Sequence, residues 1–185
     1  MKRKMYDSMC RWKEENGRTA LLIDGARRVG KSYIAQEFGQ NEYKSYILID
    51  FNRAPAEITD LFIHYLNDLD MFFLYLSNFY GVKLYERESL IIFDEVQLFP
   101  KARAAIKYLV EDGRYDYIET GSLMTIKKNV ADIVIPSEER HMKMYPLDFE
   151  EFLWALDNDT LMDFIRLCFD KKKPMGQVLH RKAMD

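Results

Sequence analysis

Eight consecutive residues constrain this chain more than any others: Gly25-Ala26-Arg27-Arg28-Val29-Gly30-Lys31-Ser32. They follow the pattern G-x-x-x-x-G-K-[ST], the phosphate-binding loop known as Walker A. The pattern has meaning only between a strand and a helix. Before it stands Ala20-Leu21-Leu22-Ile23-Asp24, an apolar run of strand length. After it, Ser32-Tyr33-Ile34-Ala35-Gln36-Glu37-Phe38 reads as a helix that stops at Gly39. The two glycines let the backbone close into a tight concave loop. Its N–H groups then converge on an anion, with the positive end of the helix behind them. Residues 25–32 are therefore the candidate nucleotide-binding residues. Lys31 is placed to serve the β- and γ-phosphates as a mobile charge, and the Ser32 hydroxyl is a candidate ligand for Mg²⁺.

The second strong signal is Ser89-Leu90-Ile91-Ile92-Phe93-Asp94-Glu95. Four apolar residues in a row predict a parallel strand buried on both faces. Such a strand delivers its last residues to the edge where open α/β sheets carry ligands. Asp94 fits the Walker B aspartate that holds Mg²⁺. Glu95 fits a general base that orients and deprotonates an attacking water. Gln97 is within reach either of the γ-phosphate and its water or of the start of the next element.

Other polar residues fall at comparable places. Tyr46-Ile47-Leu48-Ile49-Asp50-Phe51 predicts another strand, with Asp50 at its C-terminal end as a residue behind the site or as a turn former. Tyr115-Asp116-Tyr117-Ile118-Glu119-Thr120 predicts the strand after Asp94-Glu95, running into Gly121-Ser122. Thr120 and Ser122 are both candidates for sensing the γ-phosphate, and a strand-end turn of small residues is the plainer alternative. Met142-Lys143-Met144-Tyr145-Pro146-Leu147 alternates as a last strand, preceded by Ile133-Val134-Ile135-Pro136. Arg140, just ahead of that strand, is a candidate phosphate-sensing arginine or a solvated loop residue.

The remaining segments read as helices. Residues 2–15 put Met5, Met9 and Trp12 on one face and end near Asn16-Gly17. Either that face packs on the sheet, or Tyr6 or Trp12 helps enclose a nucleotide base. Residues 57–80 read as two helical pieces, and Pro100 opens a helix that turns at Asp112-Gly113. Asp148 and Glu151 have capping-box spacing at the start of another helix. A last helix near 160–169 exits through Lys171-Lys172-Lys173-Pro174, and a further helix begins at 176.

Composition sets outer limits. The net charge of −3 does not support a surface that coats nucleic acid generally. Cys10 and Cys168 have neither metal-ligand nor disulfide-framework spacing, which points to a reducing cytoplasm. The most apolar stretch, residues 71–76, is too short to span a membrane.

With GARRVGKS at 25–32, LIIFDEVQLFP at 90–100, TGS at 120–122 and ERHMKMYPLDFEEFLWAL at 139–156, the chain resembles the AAA-type P-loop ATPases of bacteria and archaea, close to the archaeal-ATPase and STAND-related groups. The resemblance implies an α/β, three-layer P-loop NTPase fold with a mostly parallel sheet. It implies an ATPase domain over 1–156 and a helical segment, 157–185, leading into a C-terminal domain that this sequence lacks. It supports Lys31, Ser32, Asp94 and Glu95 in the roles above, and extends to Gln97 and Arg140. ATP and Mg²⁺ are the expected ligands, and the absence of an NKxD-like base-reading motif favours ATP over GTP. The expected function is Mg-ATP hydrolysis coupled to a protein partner, to self-association or to the further domain, through which nucleic acid also remains open. No arginine finger is assignable within the chain. The competing readings are an ATP-dependent switch with negligible hydrolysis and, behind it, a small-molecule kinase.

Overall fold

The computed structural model describes residues 2–16, 18–122, 138–177 and 180–181. Contacts divide the chain into two compact units. One is Met5–Tyr145; the other is Pro146–Asp185 together with Met1–Lys4. The helix that follows Asp148 sits in the second unit.

The larger unit is built on five parallel strands: β1 (Ala20–Gly25), β2 (Ser45–Asp50), β3 (Ser89–Asp94), β4 (Asp116–Gly121) and β5 (Glu139–Met144), in the order β2-β3-β4-β1-β5. The strand of the phosphate loop and the strand of Asp94 are therefore separated by β4. Apolar residues alternate between two cores, as the two-residue period of a strand demands. Leu22, Ile47, Ile49, Ile91, Phe93 and Tyr117 face α3 (Ala56–His64), α4 (Leu69–Tyr80) and α5 (Pro100–Asp112). Leu21, Ile23, Leu90, Ile92 and Ile118 face α1 (Lys4–Lys13) and α2 (Lys31–Glu42). This is the three-layer α/β arrangement expected from the sequence.

Two local readings change. Helix α2 does not stop at Gly39 but runs through it to Glu42. Gly39 lies against β2 and β3, where a Cβ would meet Tyr46 at 3.0 Å and Leu90 at 3.3 Å, so its glycine serves close helix–sheet packing. Strand β5 begins at Glu139, earlier than its alternating pattern indicated, and takes Arg140 into the sheet beside Leu21. The break within 57–80 falls at residues 65–68, where the Asp68 carboxylate accepts from Met71 N at 3.1 Å and caps α4. Residues 133–136 lie outside the described residues.

In the second unit, α6 (Phe149–Ala155) opens on the capping box of Asp148 and Glu151 that the sequence announced. Lys4 pairs with Asp148 and Glu150, and Arg166 of α7 (Asp159–Asp170) also pairs with Glu150. Among the described residues, no helix is long and apolar enough to cross a membrane.

One charged cluster lies inside the larger unit. Arg103 of α5 grips Glu139 through two nitrogens, at 3.0 and 3.2 Å, and His141 approaches the same carboxylate. Glu119 of β4 is fully buried beside them. Burial above all, then the charge and hydrogen bonding of Glu139, hold its carboxyl protonated well above the usual carboxyl range, against the pull of Arg103. Folded Glu119 thus keeps its proton to a higher pH than the unfolded chain does. Its contribution to stability is full below the ordinary carboxyl pKa and is lost as pH rises toward the folded value. Glu119→Gln should therefore raise Tm, by a margin that widens from pH 5 to pH 8 in thermal unfolding. A margin independent of pH would show that Glu119 is ionised in the folded chain.

Candidate functional site

The register of the sheet brings the candidate residues to one edge. Asp24 stands opposite Gly121, Gly25 opposite Met144, and Asp50 opposite Asp94. All these strands run the same way, so the loops leaving β1, β3 and β4 emerge together at their C-terminal ends.

The phosphate loop leaves β1 at Gly25. A Cβ on Gly25 would stand 2.2 Å from the Met144 carbonyl oxygen, so only glycine lets the edge strand come this close. Arg28 and Gly30 both take positive φ, 64° and 95°, which curls the loop into helix α2. The helix starts at once, with Ile34 N donating to Gly30 O at 3.0 Å. Ala26, Arg27 and Arg28 are exposed around the loop. Lys31 is buried and folds back over the loop, donating to Gly25 O at 3.3 Å and Ala26 O at 2.8 Å. Gly25→Ala should cost about 3 kcal/mol, or roughly 6–12 °C in Tm, and carry nucleotide binding down with it. A variant with unchanged Tm would contradict this close approach.

The loop is joined directly to the Asp94 strand. Ser32 Oγ donates to Asp94 Oδ1 at 2.7 Å. Thr120 Oγ1 donates to the same oxygen and accepts from Glu95 N at 3.3 Å. Glu95 sits at φ 54°, a left-handed turn that non-glycine residues enter at a cost and hold only when their surroundings enforce it. Its side chain accepts a hydrogen bond from Gln97 Nε2. Ser32 and Asp94 offer only oxygen, the donor chemistry that suits Mg²⁺. The residues present therefore fit that ion.

Hydrogen bonds connect Ser32, Asp94, Thr120, Glu95 and Gln97 into one group, and Lys31 lies in the loop next to Ser32. Thr120 is fully buried, and its hydroxyl is engaged with Asp94 and Glu95. Ser122, half-buried just past β4, keeps its candidacy at the sheet edge. Arg140 stands four strand positions before Met144, paired with Leu21, and its guanidinium is held by Glu15. It lies in the other half of β5, away from the loop. Asp50 accepts from Asn52 N at 2.9 Å and forms the turn after β2. Trp12 is buried with its indole N–H on Thr19 O, and Tyr6 packs edge-on against Phe38 while its hydroxyl donates to Glu42. Both rings thus belong to the α1–α2 packing. Sequence reasoning missed the Arg103–Glu139–Glu119 cluster. Its signal was Glu119, an ionisable residue in the interior of a central strand.

A glycine loop with a buried lysine, tied by a serine to an Asp-Glu pair two strands away, defines the P-loop nucleotide-binding class. Residues 17–153 match the family model described as AAA domain, and the chain belongs to that family. An uncharacterized protein of Methanocaldococcus jannaschii, MJ1637, is 24% identical over 146 residues, covering 78% of this chain. The chain spans only 30% of that relative's length. Among solved structures, a DNA replication initiation factor superposes with a TM-score of 0.52 at 14% identity, over 86% of this chain and 50% of its own. At that identity the likeness is one of fold.

Proposed function

We propose that the chain binds ATP with Mg²⁺ and hydrolyses it to ADP and phosphate. The observation that carries this reading is the Ser32–Asp94 contact at 2.7 Å, which couples the phosphate loop to a strand end whose next residue is Glu95. Loop residues 25–32 hold the phosphates through backbone N–H groups, and Lys31 exchanges its loop carbonyls for phosphate oxygens. Ser32 and Asp94 would hold Mg²⁺, which when bound neutralises phosphate charge. Glu95 takes a proton from water as its oxygen bonds to the γ-phosphorus. The bond to the β–γ bridging oxygen breaks, and ADP leaves with that electron pair.

What hydrolysis drives belongs to a protein partner, a second copy or a further domain, consistent with a chain that covers under a third of its relative. The test is to incubate the purified chain with Mg-ATP and quantify ADP and free phosphate. Equal release of both supports the reading. Tight binding without release would leave an ATP-dependent switch, and phosphate found on an acceptor other than water would make it a kinase.

A further inference from the structure

We propose that Gln97 is a positioning residue that aims the Glu95 carboxylate, an inference that rests on the hydrolytic reading above. An ionised carboxylate can only accept, so the Gln97 amide nitrogen is the donor in the contact to Glu95 Oε2. That bond engages one carboxylate oxygen and leaves Oε1 for the proton of the attacking water. A side chain with three rotatable bonds makes a poor base unless its rotamers are restricted, and a single well-placed donor restricts them.

Gln97 is suited to this because its own backbone is fixed. It lies in a short 3₁₀ turn, Val96–Leu98, and is only 4% exposed. Leu98 N donates to Glu95 O at 2.9 Å and Phe99 N to Val96 O at 3.1 Å, which closes the turn. Val96 is fully buried in the core. Phe99 stacks on Phe51 at 5.3 Å and meets Phe62 edge-on at 5.7 Å. Pro100 then opens α5 at its first position, where a missing N–H costs nothing. The base is thus held from two sides. Thr120 fixes its peptide N–H and Gln97 fixes its carboxylate. Gln97 acts through Glu95 and not on phosphate, which separates it from Lys31 and Ser32.

The test is a double-mutant cycle on Gln97→Met, which keeps the length of the side chain and removes the donor. In the otherwise native chain kcat should fall about tenfold with KM for ATP unchanged, because a base is misaimed and no ATP contact is lost. In the Glu95→Gln background the same substitution should change the residual single-turnover rate less than twofold, since the group it positions is gone. Gln97→Glu, which keeps the shape and replaces the donor by an acceptor, should reduce kcat at least as far; it decides the matter if Gln97→Met fails to fold or to bind Mg-ATP. Unchanged kcat in whichever variant folds, or equal losses with and without Glu95, would overturn the proposal while leaving the ATPase reading intact. Native turnover in Glu95→Gln alone would instead overturn the role of Glu95 as base, and the proposal with it.

Discussion

Lys31→Ala should lower Mg-ATP affinity by about a hundredfold or more, read by calorimetry or a fluorescent ATP analogue. A hundredfold is about 2.7 kcal/mol, the scale of one or two charge-assisted hydrogen bonds to phosphate. The structure explains why no neighbour substitutes. Lys31 is the buried cation of the loop, whereas Arg27 and Arg28 are exposed around it. Its ammonium is also the donor that Gly25 O and Ala26 O receive, so its removal loosens the loop as well as discharging it. The variant should stay folded, because β1 and α2 rest on apolar cores that lack this side chain. Retained affinity would mean that backbone N–H groups alone carry the phosphates.

Glu95→Gln should separate binding from turnover. The amide has nearly the shape of the carboxylate but cannot take a proton at neutral pH, so hydrolysis should fall by about 10²–10⁴ while Mg-ATP still binds. The variant should hold unhydrolysed ATP, measured as retained nucleotide after gel filtration alongside phosphate release. If the chain is a switch that does not hydrolyse ATP, the substitution changes little, and this contrast is what makes the variant decisive.

The chemistry of the site was far more legible in the sequence than its wiring. Gly25–Ser32 and Asp94-Glu95 are local patterns, each carried by one loop or strand end, so composition and spacing suffice to find them. The layers were legible for the same reason, because a run such as Leu90–Phe93 can be satisfied only inside a sheet covered on both faces. Strand order is a non-local property. Nothing in residues 116–121 says that they lie between β1 and β3, and that placement is what brings the Thr120 hydroxyl to Asp94. Arg140 was misjudged for a related reason. Its loop-like polarity is that of an edge strand, half exposed, in which charged side chains are tolerated. Gly39 misled because the same residue type ends helices and allows them to pack closely.

The contact of Gly25 with Met144 has a mechanical side. The last carbonyl of the edge strand occupies the space a methyl group would fill on the first residue of the loop. No compressible side chain lies between the two backbones, and packed interiors do not absorb displacements gradually. Sliding β5 along its axis toward the loop therefore pushes on the peptide from which the phosphate cradle begins. The edge strand and the start of the cradle thus meet backbone against backbone.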